Sequence, residues 1–239
     1  MANPSLVEQS GPFLAFLDEW MSNLPVKTMR QTLPKPEHCA LLSVDLTAGF
    51  CDAGPLSGPR VRALAAPAAA FMQAAWQHGV TAQVLLQDTH SPDAPEFASW
   101  PPHCVRGTAE AETVCEIKTL PFFDRLDVIE KDSISSNLNT ALPAWLADRP
   151  AMDTFVVIGD CTDLCVYQLA MFLRLDADAR GLRRRVIVPA ALVDTYDFPV
   201  DAAQAAGAMP HPGDLFHAAA LYHLALNGVE VVRRIDINL

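Results

Sequence analysis

Cys165 lies four residues beyond a second cysteine in the run Gly159-Asp-Cys-Thr-Asp-Leu-Cys165, after an apolar stretch and at the start of a helix-like one. A thiol at a helix N-terminus meets the positive end of the dipole and unpaired amides, both of which favour the thiolate. Two other apolar stretches end in groups that a sulfur nucleophile needs. Leu-Leu-Ser-Val runs into Asp45, and Val-Ile-Glu runs into Lys131. A carboxylate can take the thiol proton and a lysine can hold both partners in register, so Cys165, Asp45 and Lys131 are candidates for nucleophile, base and cationic orienter. The competing reading makes Cys161 and Cys165 small buried hydrophobes, as many cysteines are, and a Cys161–Cys165 disulfide is a third option.

A second concentration of chemistry follows the stretch Leu-Leu-Gln. It reads Asp88-Thr-His90-Ser-Pro-Asp-Ala-Pro-Glu96-Phe-Ala-Ser-Trp100-Pro-Pro-His103-Cys. Side chains of an Asp-x-His turn can point the same way, and a proline-stiffened loop can return His103 to them. Mixed nitrogen and oxygen ligation suits zinc first, with manganese or iron as alternatives and water completing the shell. Loop-capping hydrogen bonds are the alternative role for His90 and His103. Asp93 reads as a turn residue, and Cys104 diverges from its neighbour His103. His211, His217 and His223 lack metal-type spacing and read as surface or packing residues.

These residues need elements that bring them together, and the pattern supplies such elements. Strand-like runs at 40–44, 81–86, 127–130, 154–158, 185–188 and 230–233 alternate with helix-like stretches at 61–78, 138–148, 164–180 and 215–227. Several strand runs are apolar without alternation, as expected where both faces of a parallel sheet are covered. Gly79, Gly181 and Gly228 follow three of the helices, where a left-handed residue commonly ends the turn. The pattern predicts a three-layer α/β/α fold around a mostly parallel, Rossmann-like sheet of about six strands. In such sheets ligands bind beyond the carboxyl ends of the strands, where Asp45, Asp88, Lys131 and Cys165 fall. Residues 12–24 read as an amphipathic helix within an N-terminal extension, 1–37, ahead of the main domain, 38–239. The segment 194–213, with Pro199, Pro210 and Pro212, predicts an irregular lid or interface loop.

Composition narrows the partners. Seventeen basic against twenty-eight acidic residues leave a net charge of −11 over 239 residues, and such a surface repels phosphate backbones and anionic lipid. No nucleic-acid or membrane partner is expected. Residues 1–10 lack the basic and apolar regions of a signal peptide, and the six cysteines are not spaced like a secreted disulfide framework. Reduced thiols in a cytoplasmic protein are the expectation. The N-terminal helix and the proline-rich segment offer contact surfaces for a homo-oligomer.

Taken together, these motifs resemble the isochorismatase-like cysteine hydrolases, and among them the nicotinamidases, over roughly residues 38–235. Asp45 with Phe50 five positions later is similar to the family's catalytic segment. Asp88-Thr-His90, Pro95-Glu96 and Trp100-Pro-Pro-His103-Cys-Val-Arg-Gly107-Thr108 are similar to its metal segment, and Gly159 through Val166 to its nucleophile motif. The resemblance implies an isochorismatase-like hydrolase fold and a catalytic triad of Asp45, Lys131 and Cys165. It implies one divalent metal on Asp88, His90, Glu96 and His103, and a cis peptide between Asp160 and Cys161. The amides of Cys161 and Cys165 would then form the oxyanion hole, and Phe50 and Trp100 would sandwich a pyridine ring whose nitrogen meets the metal. The implied reaction converts nicotinamide to nicotinate and ammonia through a thioester. One departure stands out: Ile134-Ser-Ser-Asn137 occupies the place of the family's Tyr-Ser-Ala-Phe, removing two aromatics from the pocket wall. That departure keeps open another small amide or N-carbamoyl compound as substrate. A metal-water hydrolase with structural cysteines and a binding module without turnover are the readings from other classes.

Overall fold

The computed structural model describes residues 5–237. Among these, the strands are β1 (Val26–Thr28), β2 (Cys39–Val44), β3 (Ala82–Asp88), β4 (Asp127–Lys131), β5 (Thr154–Asp160), β6 (Arg185–Pro189), β7 (Val193–Asp194), β8 (Glu230–Val232) and β9 (Arg234–Asp236). The main sheet runs β4-β3-β2-β5-β6-β8, the two-residue β7 pairs with the end of β5, and every pairing is parallel. From β2 the chain builds outward through β3 to β4, then crosses to the other side of β2 with β5. The order therefore reverses between β2 and β5, the crevice where open parallel sheets bind ligands. Register levels the strand ends there: Val44 is opposite both Leu86 and Gly159, and Asp88 is opposite Lys131.

Alternate strand residues feed two separate cores, because successive side chains leave a strand on opposite faces. Leu41, Leu85, Val156, Ile158 and Ile187 meet Ala68, Phe71, Met72 and Ala75 of the helix Ala65–His78. Leu42, Val84, Leu86, Val157 and Val188 meet Val166, Leu169 and Leu173 of the helix Cys165–Ala179, together with Leu221 and Leu224 of the helix Gly213–Leu226. Burying each such side chain stabilises by about 1.5–3 kcal/mol, which explains the unbroken apolar runs. The sheet is the expected three-layer arrangement.

Local differences have physical causes. The stretch 61–78 is two helices, Pro59–Arg62 and Ala65–His78. The stretch 138–148 is helical only over Leu142–Ala147. The N-terminal helix starts earlier than expected, at Leu6, because Ser5 and Glu8 form a reciprocal capping box there, and it runs on through Pro12. It packs on the helix Gly213–Leu226, with Phe13, Phe16 and Trp20 edge-on around Tyr222. β1 pairs in parallel with β9, a two-stranded sheet too short to show in the pattern. The segment 194–213 is more regular than its prolines suggested: it contains the helix Val200–Ala206, closed by Gly207 in the left-handed region. Gly79, Gly181 and Gly228 all have positive φ, as expected.

Candidate active site

Asp45 follows the last residue of β2 with φ +54, a backbone conformation that non-glycine residues rarely adopt. Its amide donates to the Leu86 carbonyl at 2.8 Å, and its carbonyl accepts from the Thr47 amide at 2.7 Å. Those bonds fix the turn, and the side chain accepts from the Asp88 amide at 2.8 Å. Strand β5 comes so close here that a Cβ on Gly159 would lie 2.0 Å from the Val44 carbonyl oxygen. Only glycine, at φ +111, lets the nucleophile loop approach the base.

Lys131 is fully buried between two carboxylates. Its Nζ lies 2.7 Å from Asp45 Oδ2, pairs with Asp88 Oδ1, and reaches the Cys165 sulfur at 3.6 Å. Burial alone would discharge an amine, but the two carboxylates outweigh it and hold Lys131 well above its ordinary pKa. Burial, reinforced by Asp88, pushes Asp45 up to about 6 against the pull of Lys131. Cys165 opens the helix Cys165–Ala179 and is buried. Burial raises its thiol well above the ordinary range despite Lys131, so the resting sulfur is protonated and requires a base. A carboxylate poised near neutrality is a stronger base than an ordinary aspartate. Asp45, Lys131 and Cys165 therefore lie together around the Lys131 ammonium.

The peptide between Asp160 and Cys161 is cis. Among the described residues, neither the Cys161 nor the Cys165 amide bonds to a backbone carbonyl. All six cysteines are free thiols, so the Cys161–Cys165 disulfide option does not apply.

Asp88, His90 and His103 gather with one potential ligand atom each within 4.8 Å of the others, all three buried. Both His90 Nε2 and His103 Nε2 lie 3.5 Å from Asp88 Oδ2. His103 Nδ1 sits 2.8 Å from the Pro101 carbonyl. A carbonyl only accepts, so Nδ1 donates to it, which fixes the ring with Nε2 facing Asp88. Neither ring nitrogen of His90 has a hydrogen-bond partner. Two imidazole nitrogens converging on one carboxylate oxygen can share a cation. The buried charges agree, since Asp45 and Asp88 face a single lysine. The donor set of two imidazoles and one carboxylate fits a divalent metal. Glu96 stands outside this tight group, half-buried on the short turn Pro95–Ala98, although its carboxyl feels the charges of Asp88, His90 and His103.

Of the two expected ring-contacting aromatics, Phe50 borders this centre. Phe50 is buried with its ring centroid 5.5 Å from that of His103, and Trp100 is half-buried with its ring edge-on to Tyr196 at 6.2 Å. The isochorismatase domain family matches residues 39–234. The chain belongs to the isochorismatase family. Within it, the protein is 30% identical over 225 residues to a protein named nicotinamidase 1 from Arabidopsis thaliana, covering 85% of this chain and 89% of that one. The pyrazinamidase/nicotinamidase structure from Streptococcus mutans superposes with a TM-score of 0.64 at 25% identity, over 81% of this chain and 99% of that one. The N-carbamoylsarcosine amidase structure from Thermoplasma acidophilum gives a TM-score of 0.60 at 26% identity, over 82% and 95%.

The structure of this isochorismatase-family chain also brings in residues the motifs did not single out. Phe97 packs edge-on against both imidazoles, at 5.3 Å from His90 and 5.7 Å from His103. Its place between Glu96 and Trp100 was the one available signal. His211, read as a packing residue, lies 2.8 Å from Asp163 in the nucleophile loop. Nothing in a separation of 48 residues announces that pair.

Asp160 is fully buried with Oδ1 unpartnered. Burial first, then the negative charge of Asp45, raise its pKa well above the ordinary carboxylate range. A carboxyl whose pKa rises on folding stabilises below its unfolded value of about 3.9 and loses that contribution as pH climbs. Asp160→Asn should therefore raise the Tm relative to wild type increasingly between pH 4.5 and pH 8. Thermal unfolding at both pH values checks this, and an equal difference at both would contradict it.

Proposed function

We propose that the protein is a metal-assisted cysteine amidohydrolase that converts nicotinamide to nicotinate and ammonia. The observation that carries the reading is the contiguity of the two centres. Asp88 is paired with the lysine that touches both Asp45 and Cys165, and its other oxygen faces the two imidazoles. A flat heteroaromatic amide is a substrate whose two ends could use both. The likeness to nicotinamidase 1 of Arabidopsis thaliana supports the same reading.

In this mechanism Asp45 removes the proton from Cys165, whose sulfur attacks the amide carbon. The amides of Cys161 and Cys165 hold the developing oxyanion, each such donor contributing on the order of 3 kcal/mol to transition-state stabilisation. Asp45 passes its proton to the leaving nitrogen, ammonia departs and a thioester remains. Asp45 next takes a proton from water, whose oxygen attacks the thioester carbon. Nicotinic acid leaves as the C–S bond breaks and ionises to nicotinate by losing its proton to solvent, and the sulfur regains a proton from Asp45. Lys131 keeps Asp45 aimed at the sulfur throughout. Asp88, His90 and His103, with Glu96 as a fourth candidate, would hold a divalent ion, zinc first among the choices. Bound there, it supplies a Lewis acid for a pyridine nitrogen. Phe50 and Trp100 flank the ring and align its carboxamide with the sulfur.

Ammonia release from metal-replete protein tests the proposal. Nicotinamide should exceed short aliphatic amides and N-carbamoyl acids in kcat/KM by at least about 100-fold, an expectation scaled to a site that pairs a specific polar atom. Iodoacetamide should abolish the release. Preference for an N-carbamoyl acid would instead assign the site to that substrate class, in line with the likeness to N-carbamoylsarcosine amidase.

A further inference from the structure

The segment 194–213 is tied to the nucleophile loop at several points. The Thr162 amide donates to the Asp194 carbonyl at 2.9 Å. Thr162 Oγ1 bonds to His217 Nδ1 at 2.9 Å. His211 bridges the two pieces: Nε2 meets Asp163 Oδ2 at 2.8 Å, and Nδ1 donates to the Tyr196 carbonyl at 2.9 Å. Arg60, from the helix Pro59–Arg62, clamps the base of the segment by bonding to Asp194, the Thr195 carbonyl and Asp214.

These bonds converge on one aromatic side chain. The ring of Tyr196 stacks on the imidazole of His211 with centroids 3.8 Å apart and 17° between planes, and Phe216 backs that imidazole at 4.5 Å. Tyr196 also meets Trp100, edge-on at 6.2 Å. Its amide faces the sulfur of Cys161, at the start of the loop that leads to Cys165. Tyr196 thus stands beside Trp100, one of the two expected ring-contacting residues, held from behind by a stacked histidine that is itself hydrogen-bonded to Asp163. The stretch after Lys131, Ile134-Ser-Ser-Asn137, contains no aromatic residue.

We infer that Tyr196 is the aromatic wall that selects planar, ring-bearing amides in this protein, and that the His211–Asp163 pair is the positioning device that holds it in place. The inference rests on the proposed amide hydrolysis and deepens it, by naming the group that discriminates among amides. Sequence position gives no hint of the role, because the wall is supplied from a different crossover than the one after Lys131. A stacked or edge-on ring contact strengthens binding by about tenfold at most beyond the area it buries, so the effect belongs in KM and in substrate preference.

The test compares Tyr196→Ala, Tyr196→Phe and His211→Ala with wild type in steady-state ammonia release from nicotinamide, benzamide and propionamide. Tyr196→Ala should raise KM for both aromatic amides by about tenfold more than for propionamide. Tyr196→Phe should restore the preference, because the ring and not the hydroxyl is the selecting group. His211→Ala should reproduce the shift of Tyr196→Ala, with the change in KM exceeding that in kcat. Equal effects on all three amides, or no rescue by phenylalanine, would overturn the inference. Binding of nicotinamide to metal-replete Cys165→Ala protein, measured by calorimetry with and without Tyr196→Ala, separates the two proposals. If wild type releases no ammonia but Tyr196→Ala still weakens ring binding about tenfold, the amidase reading fails and the wall stands. If ammonia is released and ring binding is indifferent to Tyr196, the wall fails alone.

Discussion

Cys165→Ala should lower nicotinamide turnover by on the order of 10³-fold or more, the scale seen when a catalytic nucleophile is deleted, while metal content stays at the wild-type level. The sulfur touches Lys131 at 3.6 Å and is not part of the Asp88, His90 and His103 group, so its loss leaves the metal donors in place. The fold should persist too, since replacing the sulfhydryl by hydrogen removes a single heavy atom. Alkylation needs a control, because Cys115 is exposed and will also react. In a Cys115→Ala background, inactivation by iodoacetamide should track modification of one thiol, identified by peptide mass. Ammonia release by Cys165→Ala at the wild-type rate would refute the covalent route and favour a metal-water hydrolase with structural cysteines.

His103→Ala should strip the bound metal, from one equivalent per chain to near none by elemental analysis after dialysis. His103 contributes one of three converging donors, and its ring is pre-aimed by the Nδ1 bond to Pro101. Losing even an orienting partner of a metal ligand costs about 10–100-fold in affinity, and losing the ligand itself should exceed that. Turnover of nicotinamide should fall chiefly through a higher KM. Chelation of the wild-type protein should have the same effect, reversed by adding back zinc. A Glu96→Gln comparison ranks the fourth candidate ligand: full metal retention would place Glu96 outside the coordination shell. If His103→Ala kept a full equivalent of metal, the Asp88, His90 and His103 site would be wrong, whatever became of the sulfur chemistry.

Some of this was legible before any coordinate. The unbroken apolar runs of β2, β3 and β5 announce strands buried on both faces, and the glycines after the helices announce their ends. Asp45, Asp88 and Lys131 each sit where a run stops and Cys165 opens the helix after β5, so their common address at the carboxyl edge follows from the parallel topology alone. His90 and His103 share a short loop stiffened by prolines, which makes their meeting with Asp88 readable from spacing.

Other features depend on distances that no spacing encodes. The pairing of β1 with β9 joins residues 26–28 to residues 234–236, and each strand is too short to carry a periodic signal. The N-terminal helix begins earlier than its hydrophobic pattern because a cap set that boundary, at Ser5 and Glu8. Glu96 shares the loop of the metal donors, yet tertiary structure leaves it outside their tight cluster. Sequence determined which side chains are chemically able and which edge of the sheet they occupy, because the two-residue period of a strand and the handedness of crossovers fix both. Tertiary structure alone decided the contacts, such as Lys131 between two carboxylates and His211 against Asp163. Contact depends on packing and loop closure between segments tens of residues apart, where chain connectivity imposes almost no restriction.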